Sequence, residues 1–424
     1  MGPQPRSDDL PHADLVIEGA AELASPDPAR PGVVRRVSGG VLAVGGGRVL
    51  AAGPLADVAA VVDLSGAETL DAGGALVVPG FVDCHTHLLY GGSRAGEYVA
   101  RLGHDAAAVT AIGALETSGP TGIAASVAMT RASSDEELLA AASSRLDAML
   151  AQGTTTAESK TGYGLSAEQE LRLLRLNERL AAAHAVDIVS TLMAAHAFPP
   201  EAADAAGRVR WVETIAEEVV PAAAELGAEF NDVFCDEGYF SVEQARRVLE
   251  AGLAAGVAPK IHADQYAALG ATALAAELGV VSADHLNVTN DADLAALSEA
   301  GVVGVLMPLI DFAVAHPRPV DGQRWVRAGL TIGLATDCCP GGPAVSMPLA
   351  MQFACRVSAL TPEQALWAAT AGGARAVGRD DRGAFEPGRL ADAVVIDVPG
   401  LDELVYRIGH APVRRVLKRG RVVI

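Results

Sequence analysis

Aromatic residues make up only 4% of the 424-residue chain, so its interior has to be filled by Ala, Val, Leu and Ile within a hydrophobic share of 50%. That is ample for a large core, and the length prior of two or three domains yields if one long α/β barrel takes up most of the chain. Cysteine is scarce too. The five present (Cys84, Cys235, Cys338, Cys339, Cys355) are odd in number and lack the spacing of a stapled domain, which fits reduced thiols in the cytoplasm. Positive charge is in deficit: 32 Lys and Arg against 52 Asp and Glu leave a net charge of −20, which argues against nucleic acid or an anionic membrane as partner. The chain also lacks a membrane-length apolar run, each one being broken by Gly or by charge, and Met1-Gly-Pro-Gln-Pro-Arg-Ser-Asp-Asp has neither an apolar signal core nor a lipidation motif. The expectation is a soluble cytoplasmic protein.

What is present is a change of pattern along the chain. Residues 12 to 74 alternate short apolar runs (Asp14-Leu-Val-Ile-Glu, Val41 to Val44, Arg48-Val-Leu-Ala-Ala) with Gly, Pro and Asp turns, the pattern of a small antiparallel β unit. Leu23 to Val33 reads as a loop within it. The end of the chain is similar, in Gly388 to Asp397, Val413 to Leu417 and Gly420 to Ile424, so the two ends are expected to pair into one β-sandwich. Between them lie eight candidate strands: Leu76 to His87, Thr154 to Glu158, Asp187 to Ala195, Glu229 to Phe234, Ala258 to His262, Gly279 to Asp284, Val302 to Met307 and Leu330 to Thr336. The segments separating them, such as Ser134 to Gln152 and Ser166 to Ala183, have the apolar spacing and acidic starts of amphipathic helices. This alternation predicts a (β/α)8 barrel over residues 79–382, flanked by sandwich parts at 1–78 and 383–424, with its active site at the C-terminal ends of the strands.

Those strand ends are unusually polar, and His85 with His87, Glu158 with Lys160, His196, Cys235 with Glu237, His262 with Gln265, Asp284 with His285, and Asp337 are expected to converge on one site. The apolar run Ala75-Leu-Val-Val-Pro-Gly-Phe-Val-Asp-Cys-His85-Thr-His87 stops at two histidines one residue apart, which on a strand point to the same face. With His262 from the fifth strand and Asp337 from the eighth they form three nitrogens and a carboxylate, the donor set of a hydrolytic metal centre that acidifies a bound water. Asp337 can also move a proton from the attacking water to the leaving nitrogen. His285 is placed to polarise a substrate carbonyl, with Asp284 expected to hold its tautomer. Lys160 is read as lying beyond its strand in a Gly-flanked loop, which speaks against a bridged two-metal site.

Pro79-Gly-Phe-Val-Asp-Cys-His-Thr-His-Leu, Ile261-His-Ala-Asp-Gln, Ser282-Ala-Asp-His and Ala335-Thr-Asp resemble the amidohydrolase superfamily, a metal-bearing barrel with a sandwich built from both termini. Within it, Gly91-Gly-Ser-Arg94, Gly153 to Leu165, Ala195-His196-Ala-Phe-Pro-Pro-Glu and Phe240-Ser-Val-Glu-Gln-Ala-Arg-Arg are similar to the imidazolonepropionase family over essentially the whole chain. The resemblance implies hydrolysis of the ring amide of 4-imidazolone-5-propanoate to N-formimino-L-glutamate, with one zinc or iron ion per chain and a homodimer as the assembly. It also implies that Arg94, Tyr163 and His196 hold the substrate. A propanoate tail calls for a guanidinium fork completed by a hydroxyl and an imidazole.

The chain departs from the family pattern in places. Where the family reads Asn-Pro-Gly-Ser two residues after the metal aspartate, this sequence has Cys339-Pro-Gly341-Gly342, and a thiol cannot reproduce an amide's paired donor and acceptor. Where Leu-Pro-Gly-Thr is expected after the seventh strand stands Met307-Pro-Leu309-Ile310, a more apolar wall. The Gly-rich loop Ser118-Gly-Pro-Thr-Gly-Ile is altered rather than lost. Gln265 stands where some members carry glutamate, which gives it a polarising or orienting role. The departures open a second reading, action on a related small cyclic amide or amidine. A third is a catalytically silent barrel scaffold.

Overall fold

The apolar run that leads to His85 does not form one strand. In the computed structural model, which describes residues 10 to 102 and 121 to 424, Leu76–Pro79 belongs to the sandwich and Phe81–Asp83 opens the barrel. The break falls at Gly80, where an added Cβ would lie 2.2 Å from Thr155 Oγ1, so only glycine lets the chain pass between the two units. Leu76–Pro79 pairs antiparallel with Ala393–Ile396, register Leu76 to Ile396, and Phe81 pairs with Thr154.

The barrel follows in chain order. Its strands are Phe81–Asp83, Thr154–Lys160, Asp187–Ala195, Phe230–Cys235, Ala258–Ala263, Ser282–His285, Val303–Leu306 and Thr331–Leu334, each parallel to the next. The eighth meets the first through an isolated parallel bridge, Thr86 with Cys338, and through the buried Asp83 carboxylate, which accepts from Thr336 N (3.0 Å) and Thr336 Oγ1 (2.6 Å). A side chain here substitutes for ladder bonds that the short terminal strands cannot make.

The intervening helices form for local reasons. Asp135–Ala151 starts at a capping box in which Ser134 Oγ accepts from Glu137 N and Glu137 accepts from Ser134 N. Such a cap contributes about 1 kcal/mol. Leu138, Ala142, Leu146 and Met149 then recur on one face and are fully buried against the barrel. Ala167–Ala183, expected as a helix from Ser166 to Ala183, is capped by Ser166, and Val242–Ala254 by Ser241 with Gln244.

The sandwich has a four-stranded sheet made wholly from the N-terminal segment and a six-stranded sheet that mixes both termini. Leu15, Ile17, Leu23, Leu42, Val77, Phe385, Val395 and Leu417 fill the space between them with almost no aromatic mass. The supposed loop at Leu23 to Val33 is shorter than expected, because Glu22–Pro26 is a strand paired with Val34–Ser38. Ser118, Gly119 and Pro120 of the altered Gly-rich loop lie outside the described residues. No helix among the described residues is long and apolar enough to cross a membrane.

Candidate metal centre and substrate cavity

Five imidazoles meet at the C-terminal mouth of the barrel, and in four of them the partner of Nδ1 decides which way the ring points. His85 Nδ1 lies 2.6 Å from Asp284 Oδ2, His262 Nδ1 3.2 Å from Asp232 Oδ1, His87 Nδ1 3.1 Å from Thr161 O and His196 Nδ1 3.0 Å from Gly162 O. Carbonyl and carboxylate oxygens only accept, so each Nδ1 carries the proton and each Nε2 keeps its lone pair. Burial pushes His85, His87 and His262 well below the usual imidazole range, with neighbouring imidazoles and the Lys160 ammonium adding to the effect. They are therefore neutral ligands at pH 7.

His85 sits at the centre of this group. Its ring centroid is 4.5 Å from that of His262, 5.8 Å from His87 and 5.6 Å from His285, and its Nε2 is 3.8 Å from Asp337 Oδ1. Donor atoms of His85, His87 and Asp337 form one group able to hold a metal ion, and those of His85, His262 and His285 form another that shares His85. His85 Nε2 is buried without a hydrogen-bond partner. A fully desolvated, unpartnered acceptor beside a carboxylate is costly unless a cation completes it, so the residues present fit a metal ion. The backbone is held in left-handed conformations at Asp264 (φ 51°), His285 (77°), Leu286 (54°) and Asp337 (47°), all at barrel strand ends around this centre. Such strain in residues other than glycine concentrates where side-chain direction matters more than local energy.

Burial pushes the Asp337 carboxyl up to about 7, against the hydrogen-bonding Cys339 thiol and the Lys160 ammonium, which pull it down. Burial also takes His285 down to about 4, against the pull of Asp284 and Asp232. A neutral imidazole and a carboxyl shifted towards neutrality thus both stand within this group of candidate donors.

A cavity of about 340 Å³ opens over this centre, lined by His87, Arg94, Tyr163, His196, His262, Gln265, His285, Asp337, Cys339 and Gly341 among others. It gathers nearly all the residues singled out in the sequence. Tyr163 stands edge-on to both His87 (5.3 Å between centroids) and His196 (5.1 Å), and His196 stacks on His87 at 5.0 Å. Arg94 is held by Glu97, Nε at 2.8 Å and Nη2 at 2.6 Å. Its Nη1 is directed towards Gly341, where an added Cβ would stand 3.6 Å away. Ile310 also lines the cavity, whereas Leu309, on the same short helix Pro308–Ala313, is buried in the main core.

The structure corrects three expectations. Asp284 does not orient His285; its Oδ2 holds His85 and its Oδ1 accepts from Ser282 Oγ at 2.7 Å, while His285 Nδ1 has no partner among the described residues. The register explains this, because adjacent residues on a strand face opposite ways and His285 leaves the strand at positive φ. Lys160 is not in a loop: it ends the strand Thr154–Lys160 and is completely buried among carboxylates. Glu237 is exposed and outside the cavity, and Cys235 is a buried core residue.

Two participants escaped the sequence reading, Asp232 and Lys260. Both were legible in principle from the two-residue period of strands, since Lys260 precedes His262 by two and so shares its face.

The amidohydrolase family model matches residues 76 to 423. The imidazolonepropionase of Geobacillus kaustophilus is 44% identical over 364 residues, covering 85% of this chain and 84% of that protein. The imidazolonepropionase of Symbiobacterium thermophilum is 41% identical over 429 residues, 97% of each chain. Among solved structures, an adenosine deaminase from Xanthomonas campestris with bound zinc aligns with TM-score 0.69 at 19% identity, over 97% of this chain and 93% of that one. A 5-methylcytosine deaminase from Klebsiella pneumoniae liganded with 5-fluorocytosine aligns at 0.68 and 16%, over 96% and 97%. These two share the fold; the sequence relatives and the family model go further, and the chain belongs to the amidohydrolase family, in its imidazolonepropionase branch.

Proposed function

We propose that the chain hydrolyses 4-imidazolone-5-propanoate to N-formimino-L-glutamate, using one metal ion, zinc or iron, held by His85, His87, His262 and Asp337. The observation that carries this reading is one cavity lined by His87, His262 and Asp337 with the Arg94 guanidinium in its wall, and the unpartnered His85 Nε2 buried 3.8 Å from that Asp337 carboxylate. The close relatives named above point the same way. When bound, the ion supplies positive charge that makes water acidic at neutral pH and polarises the ring carbonyl.

The chain's own residues do the rest. Arg94, through the Nη1 that Glu97 leaves available, takes the propanoate with the Tyr163 hydroxyl and the His196 imidazole. Gly341 keeps the space beside that nitrogen clear, and Gln265 orients the ring. His285, neutral, donates an N–H to the carbonyl oxygen as it gains charge. Asp337 removes a proton from the water whose oxygen bonds to the carbonyl carbon. The ring C–N bond then breaks, and Asp337 passes that proton to the departing nitrogen, leaving the formimino group and a new carboxylic acid that loses the water's second proton to solvent as the carboxylate. We take the barrel, read as 79–382, as catalytic and 1–78 with 383–424 as the sandwich, a division supported by the pairing of Leu76–Pro79 with Ala393–Ile396, which moves its first boundary to Gly80. The five cysteines are unpaired, in keeping with a cytoplasmic location.

Metal-loaded protein should consume freshly generated imidazolonepropanoate, followed by loss of its ultraviolet absorbance, at least a hundredfold above the spontaneous rate. Chelation should abolish the excess, and zinc or iron should restore it. No loss above the spontaneous rate would sink the reading.

A further inference from the structure

Lysine is the rarest charged residue of this chain. Lys160, Lys260 and Lys418 are its only lysines, every other basic residue being arginine, and all three are buried, Lys160 and Lys260 completely. Lysine ordinarily keeps its ammonium in water, so a chain that places none at its surface and two in a barrel interior has a use for a compact charge there.

The interior layer below the cavity shows that use. Lys160 Nζ lies 2.6 Å from Asp232 Oδ2, 3.1 Å from Glu158 Oε2 and 3.4 Å from Asp284 Oδ2, three carboxylates for the three donors of one ammonium. Lys160, Asp232 and Asp284 come from the second, fourth and sixth strands, the alternate-strand arrangement that aliphatic side chains usually fill in such barrels. Lys260 Nζ holds the other oxygen of Glu158 at 2.7 Å. Asp232 and Asp284 are the two carboxylates that accept from His262 Nδ1 and His85 Nδ1. Lys160 does not line the cavity and so cannot touch substrate.

We propose that Lys160 is a positioning residue for the metal centre: its ammonium clamps Asp232 and Asp284 together, and through them fixes the rings of His262 and His85 with both Nε2 atoms facing the metal. An ion pair serving stability alone needs one carboxylate. This one joins both of the carboxylates that orient metal ligands and spans half the barrel. The inference rests on the reading of His85, His87, His262 and Asp337 as the ligands.

The test is zinc affinity, measured by chelator competition on metal-stripped protein, together with imidazole nitrogen chemical shifts of the same metal-free protein labelled at histidine. Lys160→Met, folded by circular dichroism, should bind zinc at least tenfold more weakly, since partners that orient ligands typically carry ten- to hundredfold effects. Its His85 and His262 signals should change from a single Nδ1-protonated tautomer to a mixture. Unchanged affinity, or weaker binding with both tautomers intact, overturns the proposal. If Lys160→Met does not fold, the charge-balanced pair Lys160→Met with Glu158→Gln replaces it, with the same outcomes expected. Failure of that chain to fold assigns Lys160 to barrel stability alone and equally overturns the proposal. A wild-type protein that binds no zinc overturns instead the assignment of the ligands.

Discussion

Cys339 is the residue at which the cavity and the expected chemistry disagree. It is 8% exposed, it lines the cavity beside Asp337, and its sulfur belongs to an apolar group with Met307, Ile310 and Ala335. Burial raises its thiol well above the ordinary value, and the Asp337 carboxylate adds to this, so it stays a neutral, weak donor. A substrate ring carrying both N–H and C=O edges loses a paired contact here. Cys339→Asn should therefore raise kcat/KM for imidazolonepropanoate by about fivefold, the equivalent of one net hydrogen bond of ~1 kcal/mol. Steady-state kinetics on the two proteins decides it, and an unchanged or lower value would mean that the thiol already suits the true substrate. The sequence revealed this residue only because its neighbours matched a pattern that it broke. His85, His87, His262 and Asp337 were legible for a different reason, since polar groups that end apolar strands are costly unless they converge. Which imidazole Asp284 holds was not legible, because a contact between strands one and six depends on the register of every strand between them.

At the scale of elements, four of the eight barrel strands could be read to within a residue at both ends; the first departs where the chain changes unit and the second where the strand carries charge. Ser159 and Lys160 look like loop residues, yet both are fully buried and carry the strand Thr154–Lys160 past the expected end at Glu158. Period-two reasoning fails when a strand's interior face is itself ionic. The turn that follows shows how one helix places a cavity residue. Glu170, in the first turn of Ala167–Ala183, sends its buried carboxylate back over the turn carrying Tyr163. It accepts from Gly162 N (2.9 Å), Gly164 N (2.8 Å) and Leu165 N (2.7 Å). In sequence it reads only as an acid that complements a helix N-terminus. An amide has one acceptor oxygen and turns two donors on the same N–H groups, so Glu170→Gln should leave at least one buried donor unpaired. The expected result is a loss of about 2 kcal/mol of unfolding free energy by urea titration. KM should rise more than kcat falls if Tyr163, as proposed, holds the substrate's tail and not the reacting carbon.

The whole molecule is two units clasped at the end of the barrel opposite the cavity. Asp187, first residue of the third strand, receives Arg382 Nη1 at 2.7 Å, Lys418 Nζ at 2.9 Å and Arg419 Nη2 at 2.8 Å. Lys418 also reaches Asp392 Oδ2 at 2.6 Å and Thr155 O at 2.9 Å, so residues of the C-terminal segment hold the starts of two barrel strands. That both ends of the chain fold together was legible from their shared turn-rich pattern. The clasp was not, since it needs cations 195 and 231 residues away from Asp187 in sequence. Burial raises the Asp187 carboxyl, but Lys418, Arg419 and Arg382 outweigh it and hold it below the ordinary carboxylate range. A carboxyl depressed on folding contributes stability that is fully present above its unfolded value near ~4 and is lost as pH falls through its folded value. Asp187→Asn should thus cost about 2 kcal/mol at pH 7, less than for a fully buried pair because the side chain is 25% exposed. The gap from wild type should narrow as urea midpoints are taken from pH 5 towards pH 3, where the wild-type carboxyl is itself becoming neutral. A gap that stays constant across that range would mean that charge at Asp187 is not what joins the two units. Because the clasp lies at the starts of the strands, kcat/KM at pH 7 should stay within twofold of wild type while the protein remains folded.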